Sequence, residues 1–266
     1  MVNQILVDRI IVNEIGNKLI ALRERKGSIF YSLLRSNSRD ALEREAILHS
    51  YKIENPGEPI DEATKFKCHP SRRAIKKGVK SLSDAFNWGV KNFDPKKFNK
   101  TYVEEIAKRI NPKGYPDGGR GYRTERAMVK GVNEERVMPS DISWEMDLYC
   151  ENISEMLEKG TLIMALEAAA YAHLHLARIH PFEDGNGRTT RALQNIILDR
   201  NNLPPVIIFG GERYEYYAHL QGAIDDWNAY GKHDKSQRPN TPTRENDFYN
   251  FMAGRVSSSL DRIIGK

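Results

Sequence analysis

One apolar helix constrains the fold of this chain more than any other feature. The stretch 161–179, which contains LIMALEAAAYAHLHLARI, is predicted to be helical and is apolar on nearly every side. A helix that is hydrophobic all round is buried in a large core or in a membrane. No apolar run in the chain approaches the roughly 20 residues that a bilayer requires. The stretch is therefore expected to be the buried central helix of a globular domain.

Helical periodicity also dominates the rest of the chain. Helices are predicted at 5–24, 40–54, 61–93, 99–110, 142–158, 188–201, 213–228 and 247–263. Asp40 is expected to cap the second of these helices, with Glu43 completing a capping box. A short β-hairpin is predicted where 127–129 pairs with 136–138. The predicted fold class is thus all-α, a helical bundle with one small hairpin.

Length and cysteine content limit the domain organisation and the cellular compartment that this chain can have. The 266 residues, 39% of them hydrophobic, suffice for one sizeable core or for one domain with a helical extension. Cys68 and Cys150 lie far apart and lack a metal-ligand spacing, which suits a reducing, cytoplasmic compartment. No signal peptide is predicted, because charged residues interrupt the apolar N-terminal stretch. No membrane partner is therefore expected.

Nucleic acid is not expected as a partner, although basic residues cluster in one region. The formal net charge is +5, and the cluster comprises Lys65, Lys67, Arg72, Arg73, Lys76, Lys77 and Lys80. Aromatic residues for base stacking are not interleaved with these positions. A solvated helix face is the favoured interpretation, and a nucleic-acid face is the alternative.

The chain carries its most chemically diverse segment, HPFEDGNGRTTR, directly after the apolar helix, at 180–191. Pro181 is expected to end that helix at His180, because it disfavours helical geometry in the residue before it. The loop 184–187 contains two glycines, which allow backbone N–H groups to converge on an anion. A new helix is predicted to begin after this loop and to add its positive dipole end.

The side chains around this loop predict phosphate chemistry. Arg188 and Arg191 are three residues apart on the new helix, so they share a face and can reach one polyphosphate. Asp184 offers the oxygen ligand that magnesium prefers when phosphates complete its shell. His180 can accept a proton near neutral pH. The segment therefore predicts magnesium-assisted phosphoryl-type transfer, while a capped helix–loop–helix turn with solvated arginines is the structural alternative.

The same segment closely resembles the signature of the Fic family, HPF-x-(D/E)-GNGR-x-x-R, and matches it at every defined position. The resemblance continues upstream in GYRT at 121–124 and downstream in LPPVII at 203–208 and R-x-x-YY-x-x-L at 213–220. It covers about residues 110–265. The resemblance implies a Fic core domain at 96–266, preceded by an N-terminal helical region at 1–95.

Fic enzymes mostly transfer AMP from ATP to a hydroxyl side chain, serine, threonine or tyrosine, of a target protein. The resemblance implies that His180 is the general base and that Asp184 holds magnesium. It also implies that Asn186 stabilises charge on the α-phosphate, that Arg188 binds the β-phosphate and that Arg191 binds the γ-phosphate. The full set implied to bind nucleotide is Asp184, Gly185, Asn186, Gly187, Arg188, Thr189, Thr190, Arg191, Tyr216 and Tyr217.

The family's flap places the target by main-chain pairing, a form of strand addition. By resemblance that role falls to Val129, Lys130, Gly131 and Val132. Tyr216 and Tyr217 resemble the tyrosines beside the adenine pocket. Ile224 stands where close relatives often have asparagine, which departs from the family pattern.

A second resemblance lies upstream, in SYKIEN at 50–55, which fits the inhibitory motif (S/T)-x-x-x-E-(G/N) of Fic systems. It implies that Ser50, Glu54 and Asn55 belong to an inhibitory helix at about 40–55. Glu54 is expected to pair with Arg191, which would remove the partner of the γ-phosphate and place negative charge at its position. The chain would thus be autoinhibited and would modify itself once inhibition is relieved.

Other functions stay open at this point. The enzyme could transfer UMP, phosphocholine or a γ-phosphate, although Gly187 favours AMP because kinase-like relatives usually replace that glycine. It could also remove AMP, with Glu54 positioning a water, or it could be a non-catalytic Fic-fold binding module. A homo-oligomer is possible. His173 is expected to be a buried, hydrogen-bonded residue, and a metal site shared with His180 is the alternative.

Overall fold

The computed structural model describes residues 6–24, 28–56, 70–112, 121–127, 136–231 and 243–265. For residues 28–37, 70–76, 230 and 231 it describes the backbone only. Several sequence predictions lie outside these ranges: Cys68, Lys65 and Lys67 of the basic cluster, and the flap residues Val129, Lys130, Gly131 and Val132.

The described residues form nine α-helices. They are α1 Arg9–Glu24, α2 Ser28–Glu54, α3 Pro70–Asn92, α4 Lys100–Ile110, α5 Ile142–Glu158, α6 Leu162–Ile179, α7 Asn186–Arg200, α8 Arg213–Asp226 and α9 Arg244–Ile264. A π-helical turn at Trp227–Gly231 follows α8 directly. Within the described ranges, strand pairing is limited to one isolated antiparallel bridge between Tyr122 and Phe182. The predicted all-α class is confirmed.

Helix α6 is the centre of the bundle, as its composition predicts. Thr161 caps it, accepting a hydrogen bond from the N–H of Met164 at 3.3 Å. Leu174 and Leu176 are fully buried, and the helix packs against α1, α5, α7, α8 and α9. Burying each such side chain stabilises the fold by about 1.5–3 kcal/mol. The core is therefore organised around the helix that leads directly into the motif.

Helix α2 is longer than predicted, and the predicted N-cap is wrong. The helix begins at Ser28 rather than near Asp40, which lies in its interior. No proline or glycine interrupts the stretch 28–54, so a cap-like sequence inside it does not stop the helix. Arg39 also supports the continuous helix, because it bonds Glu43 at 3.2 Å, one turn further along.

The N-terminal helix also differs from the prediction. Helix α1 begins at Arg9 instead of residue 5. Leu6 and Val7 donate their backbone N–H groups to the buried carboxylate of Glu167 on α6, at 2.7 and 2.6 Å. These donors serve a tertiary contact, so the chain enters α1 only afterwards. Burial raises the pKa of Glu167 to about 7, although the two N–H groups oppose the rise.

Helix α2 carries the C-terminal residues of SYKIEN to the start of α7. Arg39 anchors α2 at the opposite end of α7, since its guanidinium donates to the carbonyl of Asp199 at 2.9 Å and pairs with the Asp199 carboxylate. The helix ends at Glu54, and Asn55 caps it by donating its side-chain amide to the carbonyl of Tyr51 at 3.0 Å. The end of α2 and the start of α7 therefore face each other.

The base of the predicted hairpin lies within the described residues. The N–H of Arg136 donates to the carbonyl of Ala127 at 3.3 Å, which joins the two ends of the segment 128–135. The strands themselves stay a prediction. Among the described helices, none combines the length and the apolar content that crossing a bilayer demands.

Candidate active site

The motif begins with a histidine in an uncommon backbone conformation. Helix α6 ends at Ile179, as Pro181 predicts, and His180 follows with φ 52° and ψ 55°, in the left-handed region. The N–H of His180 donates to the carbonyl of Leu176 at 2.9 Å and closes the helix end. For a residue other than glycine this conformation costs about 1–2 kcal/mol, so the surrounding contacts must hold it.

Phe182 and Asn186 hold the loop together. Phe182 is buried, and its N–H donates to the side-chain oxygen of Asn186 at 2.9 Å. The Asn186 amide nitrogen returns a bond to the Phe182 carbonyl at 2.6 Å. Asn186 thus fixes the loop backbone, a role that sequence analysis did not predict. Its predicted role at the α-phosphate stays a prediction.

Helix α7 begins at Asn186, two residues earlier than predicted, with Gly185 as its N-cap. Gly185 has a φ of 86°, which glycine adopts without steric cost. Its carbonyl accepts bonds from the N–H and the hydroxyl of Thr189, both at 2.9 Å. The N–H groups of 186–188 form the first turn and have no partner inside their own helix. The sequence places an anion at this helix start, and that role stays a prediction.

Asp184 lies at the edge of this loop and is largely exposed, with 67% of its side chain accessible. One carboxylate oxygen accepts bonds from Arg188 at 2.8 Å and from Asn111 on the end of α4 at 3.0 Å. An exposed carboxylate beside a helix start is a suitable single protein ligand for Mg²⁺ whose other ligands are phosphates and water. The donor set therefore fits the predicted cation.

Arg191 brings the inhibitory motif into the site. Its guanidinium donates to the hydroxyl of Ser50 at 2.9 Å, to the carbonyl of Ser50 at 3.1 Å and to the carboxylate of Glu54 at 2.6 Å. Burial alone would raise the pKa of Glu54, but Arg191 and Arg188 outweigh it and the net pKa is lowered. Arg191 is only 6% exposed, so this pair is stronger than a surface ion pair. The predicted contact between Glu54 and Arg191 is present.

Glu54 also lies directly against the start of α7. A Cβ atom placed on Gly187 would stand 2.4 Å from a carboxylate oxygen of Glu54, closer than any real contact. Only glycine at this position lets the carboxylate approach the helix so closely. A negative group therefore already occupies the positive end of α7.

This close approach gives a stability prediction. Gly187→Ala is expected to lower the melting temperature of the wild-type chain, because the new methyl group displaces Glu54. In Glu54→Gly protein the same substitution is expected to be neutral or stabilising, since alanine favours a helix by about 1 kcal/mol over glycine. Thermal unfolding of the four proteins in a double-mutant cycle measures the difference. Equal losses in both backgrounds would contradict the contact.

The imidazole of His180 is held as a free base. Burial, together with the charges of Arg136 and Arg123, lowers its pKa to about 4. A hydrogen bond with the carbonyl of Ala177 opposes the shift. A neutral imidazole carries one N–H and one nitrogen lone pair, so one ring nitrogen has a lone pair. At neutral pH this half-buried ring is therefore able to accept a proton.

The predicted adenine contacts lie in two environments. Tyr216 is buried, and its hydroxyl is 3.0 Å from a ring nitrogen of His173. His173 also contacts Gln194 through its other nitrogen, so its prediction as a buried, hydrogen-bonded histidine is confirmed. Tyr217 is half-buried below the guanidinium of Arg213, which lies 5.5 Å from its ring centre. Both adenine contacts stay predictions.

Two further predicted positions lie inside the core. Ile224, the departure from the family pattern, is 1% exposed among core side chains. Thr190 is fully buried, beside the equally buried Thr189. The inclusion of Thr189 and Thr190 among the nucleotide contacts stays a prediction.

Sequence analysis missed Arg123 as a site residue. It is 4% exposed and donates to the carbonyl of His180 at 2.7 Å. The available signal was an arginine at the end of a glycine-rich loop, directly before the predicted hairpin. That signal does not indicate which residues Arg123 bonds, because its acceptors are backbone carbonyls and every residue has one.

Comparison with known proteins identifies the class that this fold and site define. Residues 97–198 match the model of the Fic/DOC family. The chain therefore carries a Fic domain, and the predicted family is confirmed.

Particular relatives agree with this assignment. Over 121 residues the chain is 35% identical to the protein adenylyltransferase Fic of Nematostella vectensis. The matched region covers 46% of this chain but only 27% of the length of that relative. A Fic domain containing signalling protein from Bacteroides thetaiotaomicron shares the fold over 96% of this chain and 97% of its own, with a TM-score of 0.73 and 18% identity. Fic-1 of C. elegans, residues 134–508, gives a TM-score of 0.66 at 22% identity over 97% and 72%.

Proposed function

We propose that this chain is a protein adenylyltransferase that transfers AMP from ATP to a serine, threonine or tyrosine hydroxyl of a target protein and of itself. Glu54 holds it inactive. The observation that supports this most is the Glu54 carboxylate, bound by Arg191 against Gly187, because an acidic group held there marks the helix start as an anion site. Relatives named protein adenylyltransferase Fic support the choice of AMP.

The transfer needs a proton acceptor and a place for negative charge. The target oxygen forms a bond to the α-phosphorus while the bond between that phosphorus and the α–β bridging oxygen breaks. Pyrophosphate leaves with the bonding electrons, and His180 takes the hydroxyl proton. The first N–H groups of α7 stabilise charge that develops on the α-phosphate, which is often the largest catalytic contribution.

Arg188 and Asp184 serve the rest of the triphosphate. Asp184 would hold Mg²⁺ together with phosphate oxygens, and the cation would neutralise phosphate charge when bound. Arg188 binds the β-phosphate from the same face of α7, and Arg191 binds the γ-phosphate once Glu54 has left it. Glu54 inhibits because the γ-phosphate and its own carboxylate need the same guanidinium.

The remaining assignments belong to the same proposal. The hairpin residues 129–132 dock an extended segment of the target protein, and Tyr216 and Tyr217 lie at the adenine. The Fic core begins at residue 96, after an N-terminal region at 1–95 that carries the inhibitory helix. The chain works in the cytoplasm, where ATP is available.

The test uses Glu54→Gly protein with ATP labelled at either the α- or the γ-phosphate. Label that enters protein from the α-position, with release of pyrophosphate, supports AMP transfer. Label that enters only from the γ-position would make the protein a kinase. Absence of both labels from protein, with ATP shown to bind, would refute the proposal.

The pH dependence of kcat/KM for Glu54→Gly protein gives a further prediction, since this parameter reports the free enzyme. The active imidazole is unprotonated, and its pKa is lowered to about 4. Glu54 raises that pKa, so its removal lowers it further. We expect an acid limb that lies below about pH 5 and a flat rate from about pH 6 to 8. An acid limb centred at about 6.5, the ordinary pKa of histidine, would contradict the burial of His180.

A further inference from the structure

We infer that Arg123 is a positioning residue of this site. Its guanidinium holds the backbone of His180 and the base of the predicted hairpin in a fixed position relative to each other. The inference rests on the proposed function, because it assigns the two joined elements to the proton acceptor and to the target-docking segment. Arg123 itself touches neither nucleotide nor target in this assignment.

The contacts of Arg123 join three segments of the chain. Its Nε donates to the carbonyl of His180 at 2.7 Å, and one terminal nitrogen donates to the carbonyl of Ile179 at 3.3 Å. The other terminal nitrogen donates to the carbonyl of Glu125 at 2.8 Å. A further bond reaches the carbonyl of Val137. Each nitrogen of the guanidinium is therefore used.

The backbone of Arg123 is also hydrogen-bonded to the motif, which fixes the position from which its side chain extends. Its N–H donates to the carbonyl of Pro181 at 2.9 Å, next to the bridge between Tyr122 and Phe182. Main chain and side chain together thus bond consecutive carbonyls of Ile179, His180 and Pro181. The turn that leads from α6 into the motif is held along its whole length.

The charge of Arg123 suits this position. The carbonyls of Ile179 and His180 lie at the C-terminal end of α6, where the helix dipole is negative. A buried guanidinium is stabilised there by carbonyl dipoles. Burial lowers its pKa, but arginine stays protonated at any physiological pH. It also helps to keep His180 neutral, because a second positive charge nearby is unfavourable.

The same guanidinium controls the conformation of His180. The left-handed backbone there costs about 1–2 kcal/mol and must be imposed from outside. Leu176 accepts the N–H of His180, and Arg123 donates to its carbonyl, so the peptide groups on both sides are fixed. The direction of the imidazole follows from the direction of this backbone.

The bonds to Glu125 and Val137 connect His180, the proposed proton acceptor, to the residues that flank the predicted hairpin. These two carbonyls flank the segment 128–135, outside the hydrogen bond between Arg136 and Ala127. An extended target segment paired with that hairpin would therefore be held relative to the His180 imidazole through one side chain. Arginine is required, because the three donors of a lysine ammonium lie at one point and cannot span four carbonyls.

The test compares Arg123→Lys and Arg123→Ala in Glu54→Gly protein with Arg126→Ala, an exposed arginine of the same segment. Both Arg123 variants are expected to lower kcat for AMP transfer about 10- to 100-fold, the loss that a small misplacement of reacting groups causes. The dissociation constant for ATP, measured by direct binding, is expected to change by less than about threefold. Added methylguanidinium is expected to restore part of the rate of Arg123→Ala, and Arg126→Ala is expected to match the parent.

Amide hydrogen exchange gives a readout that needs no activity. In Arg123→Lys the N–H groups of His180 and Arg136 are expected to exchange faster than in wild type, while α9 keeps its protection. An unchanged kcat, or unchanged exchange at both sites, would overturn the inference. So would equal losses of kcat and ATP binding without rescue, since they indicate a general loss of structure. If Glu54→Gly protein transfers no AMP, the proposed function fails, and the exchange result decides the positioning role separately.

Discussion

Glu54→Gly is expected to raise self-modification with AMP by about 10- to 100-fold over wild type. The substitution removes a charge-assisted hydrogen bond to Arg191, an interaction that contributes roughly 1.5–3 kcal/mol. It also removes the carboxylate that lies against Gly187 at the start of α7. Both changes favour ATP with its γ-phosphate on Arg191, and about 1.4 kcal/mol corresponds to a tenfold change in an equilibrium.

Initial rates of label transfer from α-labelled ATP measure this effect. Glycine near a helix end also frays the helix, so Lys52→Gly, in the last turn of α2, is the matched control and should stay close to wild type. Glu54→Gln keeps the shape of the side chain but not its charge, and an intermediate rate is expected. Equal rates for wild type and Glu54→Gly, with ATP bound by both, would reject the inhibitory role of Glu54.

His180→Ala in Glu54→Gly protein is expected to lower AMP transfer by about 10²- to 10⁴-fold, the usual contribution of a general base. The substitution removes the lone pair that accepts the hydroxyl proton. Ser50, Arg191 and the amides of α7 are untouched, so ATP binding is expected to persist. The loss should therefore lie in kcat and not in the dissociation constant for ATP.

Single-turnover transfer and direct ATP binding separate these two quantities. His219→Ala is a suitable control, because His219 stacks on Phe251 at 4.7 Å and takes no part in the proposed chemistry. It should behave as the parent. A single-turnover rate of AMP transfer by His180→Ala within about threefold of the parent would exclude His180 as the general base.

Much of the fold was predictable because its signals are local. An all-round apolar stretch leads to the buried α6, and proline after His180 ends that helix at Ile179. The start of α2 was predicted wrongly because Asp40 and Glu43 match a capping pattern that is also compatible with a helix interior. A cap is chosen only when the preceding residues cannot extend the helix, and the stretch 28–39 can.

The features of the site also divide into those that the local sequence predicts and those that only the tertiary structure shows. The sequence alone determined that a helix start, two arginines, a carboxylate and a histidine lie within twelve residues, since loop and helix geometry bring neighbours in sequence together in space. The resemblance supplied the pairing of Glu54 with Arg191. Only the tertiary structure decided that Arg123 bonds four backbone carbonyls and that Asn186 holds Phe182. A carbonyl acceptor is present at every residue and leaves no mark in the sequence, so the packing of the whole chain selects which ones are used.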